Sequence, residues 1–290
     1  MKKDLSIPTK VVSPAWIEIT DKEFSALSSL VYNKIGIKLT EQKKTLLMGR
    51  LQKLLREYKF ATFQEYYEYI INEKSGSALS ELANYISTNH TFFYREHDHF
   101  EFFYQKALPE IERKLKSTNT KDIRIWSAGC SSGEEPYTLI MLMLEYFGNN
   151  YYNYQAGILA TDISEKALKY ANDGIYPEDR VRPLPDKLKK KYFTKAENGN
   201  WKIVDKVKKE VTFRKFNLIS ERYPFKKHFD IIFCRNVMIY FDDITREKLV
   251  GNFYNFTVPS GYLFIGHSET LNRTKTNYKF IMPALYQKQV

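Results

Sequence analysis

Residues 123–137 read IRIWSAGCSSGEEPY, and this stretch decides the fold. It opens on a short apolar run, Ile123, Ile125 and Trp126, which reads as a buried strand. The chain then turns through Ala128-Gly129-Cys130-Ser131-Ser132-Gly133 and enters an apolar helix expected over 137–147. A strand, a glycine-bearing turn and a helix start together make a place for the polar end of a ligand. Glycine removes the side chain where a ligand must approach the backbone. The helix start offers unpaired N–H groups and a partial positive charge. Ser132 and Glu135 also stand at the spacing of a Ser-x-x-Glu capping box.

The turn lacks the third glycine of a G-x-G-x-x-G fingerprint, and two carboxylates, Glu134 and Glu135, follow at once. They would repel a pyrophosphate but suit a ligand with a cationic centre. S-adenosylmethionine has a sulfonium, an amino group and no phosphate, so it meets that description. The plainer reading is that both carboxylates complement the helix dipole.

Working outward, residues 157–161 read as the second strand, ending in Asp162. An acid at that place can accept hydrogen bonds from ribose hydroxyls, although here it lies further from the turn than the usual ~20 residues. Residues 164–172 form the next helix, and 176–191 a proline-bearing, charged crossing. Trp201, Ile203, Val207, Val211, Phe213 and Phe216 sit among lysines after an Asn198-Gly199 turn signal, which reads as a small antiparallel β element inserted at about 193–216. The clearest central strand is FDIIFC, 229–234, running into Arg235-Asn236-Val237-Met238-Ile239-Tyr240. The carboxyl end of such a strand is where α/β folds place their chemistry. A helix over 242–256, a strand over 261–266 and a last strand over 280–287 complete the α/β part.

Before the deciding stretch the chain reads differently. Residues 1–13 look like a flexible tail, and 14–88 like a helical domain. Thr20 and Glu23 form a capping box before Phe24, Leu27, Leu30 and Val31 at helical spacing. Thr40 caps the next helix, which carries Leu47, Leu51, Leu54 and Leu55 on one arc and Lys43, Arg50, Lys53 and Arg56 beside it. Between residues 34 and 59 stand eight basic and two acidic residues, so more than half of the net charge of +11 lies in one small helical region. That concentration favours a docking surface over an ordinary solvated helix face, for an anionic partner that could be nucleic acid, a membrane surface or an acidic protein. Arg95 follows an aromatic cluster, Phe92-Phe93-Tyr94, and an enclosed arginine holds a carboxylate well; the plainer reading is a salt bridge to Glu96 or Asp98.

Composition excludes several classes. Two cysteines, Cys130 and Cys234, make neither a disulfide framework nor a zinc site by themselves. His90, His97 and His99 form no metal-ligand pattern with them, so no metal is expected. The start, MKKDLSIPTK, has no apolar run behind its lysines, and no stretch has the apolar length of a membrane span, so a cytoplasmic protein without membrane insertion is expected.

Several blocks converge on one family. TNHTFFYREHDHF, IRIWSAGCSSGEEPYTL, ILATDISEKALKYANDGIY, FDIIFCRNVMIYFD and GYLFIGHSETL occur in order from about residue 20 onward and resemble the CheR-type chemoreceptor glutamate methyltransferases. The resemblance implies an all-α N-terminal domain followed, over 89–290, by a Rossmann-like S-adenosylmethionine-binding α/β domain that carries a small antiparallel β subdomain. It implies cofactor contacts at Asn89, Thr91, Arg95, Gly129, Glu135, Asp162, Asn217, Leu218, Arg235 and Asn236, and places Tyr240 at the mouth of the site. Arg95 and Tyr240 are then the candidates for orienting the substrate carboxylate. Lys43, Arg50, Lys53 and Arg56 become the candidate receptor-docking face. The implied products are a glutamyl methyl ester and S-adenosylhomocysteine, made by a monomer on the cytoplasmic helical domain of chemoreceptors. Some members bind a C-terminal receptor tether through a glycine-flanked loop of the β subdomain. The corresponding interval here, 194–209, is shorter and holds only Asn198-Gly199-Asn200, so no use of a tether is expected. Two other readings are a nucleic-acid methyltransferase of the same fold and a non-catalytic cofactor-binding sensor. The Asn/Asp-Pro-Pro-Tyr element of many base-methylating enzymes is absent after FDIIFC, which counts against the first.

Overall fold

A computed structural model describes residues 16–87 and 90–289. The expected tail over 1–13 and the site candidate Asn89 lie outside the described residues.

The N-terminal part is four helices, α1 (Asp21–Ile35), α2 (Lys44–Tyr58), α3 (Phe63–Asn72) and α4 (Ser77–Ile86). The Thr20 capping box forms in full, and α1 ends on Gly36 in the left-handed region. Thr40 makes no side-chain cap; a short 3-10 turn, Glu41–Lys43, intervenes before α2. Leu47, Leu51, Leu54 and Leu55 of α2 pack with Phe24, Leu27, Val31, Phe63, Tyr66 and Leu82 into a core of their own.

Helix α5 (His97–Phe102) continues through a π-helical turn, Phe103–Ala107, into α6 (Leu108–Thr118). The α/β part then runs β1 (Asp122–Ala128), α7 (Glu134–Phe147), β2 (Gln155–Asp162), α8 (Glu165–Asp173), β3 (Ile175–Tyr176), α9 (Glu178–Val181), α10 (Asp186–Tyr192), β4 (Phe193–Lys195), β5 (Trp201–Ile203), α11 (Asp205–Lys208) and β6 (Val211–Lys215). It closes with β7 (Phe229–Cys234), α12 (Asp243–Phe256), β8 (Thr257–Ile265), β9 (Tyr278–Met282) and β10 (Leu285–Lys288).

The large sheet has the order β6-β2-β1-β7-β8-β10-β9; its first five strands are parallel and the last two antiparallel. Alternate residues of the central strands feed cores on opposite faces. Ile125, Ile231 and Phe233 pack under α6 and α7, whereas Trp126, Ile232 and Cys234 pack under α12. A sheet covered on both faces explains why β7 is an unbroken apolar run apart from Asp230, whose carboxylate accepts from Lys114 and the Arg124 N–H. The chain leaves β1 toward β2 and β6, then returns to β7 on the other side of β1. That reversal opens a crevice at the carboxyl ends of β1 and β7.

Three further expectations are corrected. The small sheet, ordered β3-β5-β4, spans 175–203, and Val211–Lys215 is instead the parallel edge strand of the large sheet, paired with β2. The charged crossing at 176–191 contains α9 and α10. The expected last strand over 280–287 is a hairpin, β9–β10, folded at Pro283-Ala284 with Ala284 at φ 60°.

Candidate active site

The crevice at the end of β1 and β7 deepens into a cavity of about 300 Å³. Gly129 leaves β1 at φ 82°, and its N–H and that of Cys130 both donate to the Thr161 carbonyl. A Cβ at Gly129 would lie 2.4 Å from Val237 Cγ2, so only glycine lets the β1 and β7 loops close on each other. Helix α7 starts at Glu134 with Gly133 as its cap at φ 93°. The Ser132–Glu135 capping box expected from the sequence does not form. Ser132 Oγ donates instead to the Glu134 carboxylate, which is fully buried and paired with Arg180 at 2.6 Å. This turn is thus braced from below by Glu134, while Glu135 is turned toward the cavity.

Glu135 accepts from Ser127 Oγ at 2.7 Å and from Arg235 Nη1 at 3.0 Å. Asp162, at the end of β2, accepts the N–H of Ser131 on one oxygen and that of Ser164 on the other, each at 2.8 Å. Each oxygen keeps a second lone-pair direction for a ligand hydroxyl. Burial pushes the Asp162 carboxyl above its ordinary value, and the two N–H groups pull against that shift.

Arg235, just past β7, is the hub on the other side. Its side chain is 3% exposed and reaches Glu96 at 3.0 Å, Glu135 at 3.0 Å and the Arg95 carbonyl. The guanidinium lies 5.3 Å from the centre of the Phe100 ring. Burial raises the Glu96 carboxyl, but the Arg235 charge and the Asn236 amide outweigh it and hold it below its ordinary value. Asn236 stands at φ 59° and donates its side-chain amide to Glu96 and its backbone N–H to Glu269. Glu269, buried in the loop after β8, also takes the N–H groups of Ile239 and Gly266. One carboxylate therefore fixes the loop that carries Asn236 and Tyr240.

The remaining candidates line the same cavity: Thr91, Arg95, Asn217, Leu218 and Tyr240. Arg95 is half-buried and donates to the His90 carbonyl at 2.6 Å, not to Glu96 or Asp98 as the plainer sequence reading had it. Asn217 donates to the Lys34 carbonyl. The Tyr240 carbonyl accepts the Lys38 N–H. The candidate docking residues lie elsewhere, Arg50, Lys53 and Arg56 on α2 and Lys43 in the turn before it. Lys53 and Arg56 are exposed, whereas Arg50 donates to the Ile86 carbonyl at 2.6 Å and helps to finish α4. A smaller hollow of about 130 Å³, lined by Ile37, Leu39, Lys43, Leu46, Arg50 and Tyr240, shares Ile37 and Tyr240 with the cavity.

Residues 22–87 match the all-alpha domain of the CheR methyltransferases, and 89–286 match the S-adenosylmethionine-binding domain of the same family. The chain belongs to the CheR methyltransferase family. It is 48% identical over 94% of its length, and 96% of the relative's, to a chemotaxis protein methyltransferase of Borreliella burgdorferi. It is 36% identical to a probable chemotaxis protein methyltransferase of Rhizobium etli, covering 84% of this chain and 90% of that one. With the Escherichia coli chemotaxis protein methyltransferase it shares 29% identity over 90% of this chain and 89% of that one. S-adenosylmethionine is the cofactor of this family's second domain, and the donor set fits it. Glu135 and Asp162 offer carboxylates to an amino group and to ribose hydroxyls, and the Arg235 guanidinium beside them is already paired with Glu96 and Glu135.

Reading by sequence missed three things. Ile35, Ile37 and Ala83 of the helical domain form part of the cavity wall. Glu96 and Glu269 carry the hydrogen bonds that set Arg235 and Asn236. Glu96, His99 and His267 bring donor atoms within 4.8 Å of one another, although His267 is far along the chain and invisible to any spacing rule. His99 is wholly buried, and burial followed by the Arg235 charge holds its ring neutral, down to about 4. Burial likewise pushes the Cys130 and Cys234 thiols well up, which makes them inert core residues.

Proposed function

We propose that the protein transfers a methyl group from S-adenosylmethionine to the γ-carboxylate of glutamates on the cytoplasmic helical domain of chemoreceptors, giving glutamyl methyl esters. The observation that supports this reading is that the cavity and the hollow beside the basic residues Lys43 and Arg50 adjoin each other. Ile37 and Tyr240 belong to both, so a helix laid on Lys43, Lys53 and Arg56 would present its acidic side chains to the cavity mouth.

The cofactor supplies a methyl group activated on a sulfonium. Bound there, it would supply that methyl group to a carboxylate oxygen, its sulfur keeping the electron pair of the broken C–S bond as a neutral thioether. No proton moves. A glutamate carboxylate is ionised near neutral pH, with a reference pKa of about 4.3, so no general base is required. The chain's work is alignment, which can lower a barrier by roughly 7–11 kcal/mol. Glu135 and Asp162 seat the two ends of the cofactor. Arg95 and Tyr240 orient the incoming carboxylate and exclude water from it. Neither can hold that carboxylate too tightly, because its charge is lost on the way to the transition state. Recognition rests on the α2 face and not on a C-terminal receptor peptide. The loop between β4 and β5 is a tight turn closed by the Ala196 N–H on the Asn200 carbonyl.

The test is methyl-labelled S-adenosylmethionine with membranes of the same cell, followed by base. Base-labile label on receptor-sized protein is expected. Base-stable label, or label on nucleic acid, would overturn the reading.

A further inference from the structure

Outside the cofactor cavity, behind Arg235, lies a cluster that methyl transfer does not use. His99, in the first turn of α5, is wholly buried, and neither ring nitrogen has a hydrogen-bond partner. Glu96 Oε2 is 3.6 Å from Nδ1, too far for a hydrogen bond. One oxygen of Asp98 is likewise buried and without a partner. Orphaned buried groups of this kind point to an ion or a water between them.

Donor atoms of Glu96, His99 and His267 all lie within 4.8 Å of one another. A tetrahedral ion with bonds of about 2.0 Å separates its ligand atoms by about 3.3 Å, so small side-chain rotations close the set. The imidazoles of His99 and His267 stand edge to face, with centres 4.8 Å apart and planes at 87°. The outer partners are also in place. Glu96 is held by Arg235 and Asn236, and His267 Nε2 is 3.0 Å from the Asp98 carboxylate. A carboxylate behind a histidine and hydrogen bonds behind a carboxylate are how metal ligands are oriented. Glu96 and Glu135 pair with Arg235, whereas Asp98 stands beside His267, where its charge would partly offset that of a divalent cation. The His267 side chain is 44% exposed, which gives an entry path.

We propose that Glu96, His99 and His267, backed by Asp98, bind one divalent ion of the zinc class. Two imidazoles and a carboxylate suit a borderline-soft ion and not magnesium or calcium, which take oxygen ligands. The ion would join α5 to the loop after β8. Glu96 also sets Arg235 and Asn236, so the ion would brace the cofactor site from behind without entering it.

The full-length protein, free of affinity tag and stripped by a chelator, is titrated with Zn²⁺ alone against a chromogenic indicator, and separately with Co²⁺. One Zn²⁺ per chain is expected, with the intense visible bands of four-coordinate Co²⁺. Asp98→Asn should weaken binding about 10–100-fold, and His267→Gln should abolish tight binding. Both variants change partly exposed side chains, so both should unfold in chelator at the wild-type temperature. Failure of Zn²⁺ to displace the indicator, equal binding by His267→Gln, or only the weak bands of six-coordinate Co²⁺ would overturn the proposal and assign the space to water.

Discussion

Gly129→Ala tests whether the site depends on the close approach of two loops. Gly129 stands at φ 82°, where an L side chain costs roughly 1–2 kcal/mol. The added Cβ would also lie 2.4 Å from Val237 Cγ2, and crowding of that kind costs roughly 1–3 kcal/mol. Together these predict a loss of about 2–5 kcal/mol. At roughly 2–4 °C per kcal/mol for a chain of this size, the melting temperature should fall by about 4–20 °C. Both loops line the cavity, so affinity for S-adenosylhomocysteine should fall at least about tenfold, or 1.4 kcal/mol. The two causes separate in a double-mutant cycle. Val237→Ala by itself should cost roughly 1–2 kcal/mol. In the double variant the collision is gone while the backbone strain remains, so a favourable coupling of about 1–3 kcal/mol is expected by calorimetry. Additivity within about 0.5 kcal/mol would refute the collision. Wild-type stability and affinity in Gly129→Ala would refute the whole account of the turn.

Arg95→Ala should cut turnover roughly a hundredfold at saturating cofactor and receptor, because the carboxylate loses its alignment; unchanged turnover there would remove Arg95 from the proposed role. Lys53→Glu with Arg56→Glu should slow receptor association and flatten its salt dependence while cofactor affinity holds, as surface plasmon resonance at two ionic strengths would show. Glu145 on α7 takes Lys187 at 2.9 Å, Lys191 at 2.5 Å and the Tyr192 hydroxyl at 2.8 Å. Burial raises its carboxyl, but these partners outweigh that and leave it at about 2, against an ordinary 4.5. Its folded value is depressed, so its stabilisation is complete above about 4.5 and lost as pH falls toward about 2. With the exposure of both lysines discounted, this is on the order of 1–2 kcal/mol. Glu145→Gln should unfold earlier than wild type at pH 7 and converge with it in acid.

That Gly129, Glu135, Asp162, Arg235 and Asn236 meet in one cavity was legible because their signals are local. A strand, a glycine turn and a helix start are contiguous at 123–137, and Asp162 and Arg235-Asn236 each end an apolar run. What escaped depends on partners far along the chain. Val211–Lys215 alternates as a hairpin strand would, and nothing local says that its partner is β2. The β9–β10 turn hides in Met-Pro-Ala-Leu, where Ala284 takes a left-handed conformation that glycine or asparagine would have advertised. Ile35, Ile37 and Ala83 follow the apolar period of their helical domain, and periodicity cannot tell a core position from a cavity wall. Glu269 looked like any loop acid until its three N–H partners were assembled around it.

The helical domain cannot be treated as a docking module appended to a finished enzyme. Its chain leaves α1 at Gly36, whose φ of 74° turns it directly onto the loops of the site. Ile37 then bridges Phe241, the Lys38 N–H donates to the Tyr240 carbonyl at 3.0 Å, and Asn217 donates to the Lys34 carbonyl at 2.7 Å. A partner that shifts this segment would therefore move Tyr240 through a main-chain hydrogen bond and Asn217 through its side-chain amide. Lys38→Pro removes one of those bonds and leaves the α2 face intact. The lost bond is worth about 1 kcal/mol. If docking and chemistry are separate, that cost appears only as lower stability, with turnover and receptor affinity unchanged. If the segment positions Tyr240, turnover at saturating receptor falls while receptor affinity holds, and this is the outcome the hydrogen-bond pattern predicts.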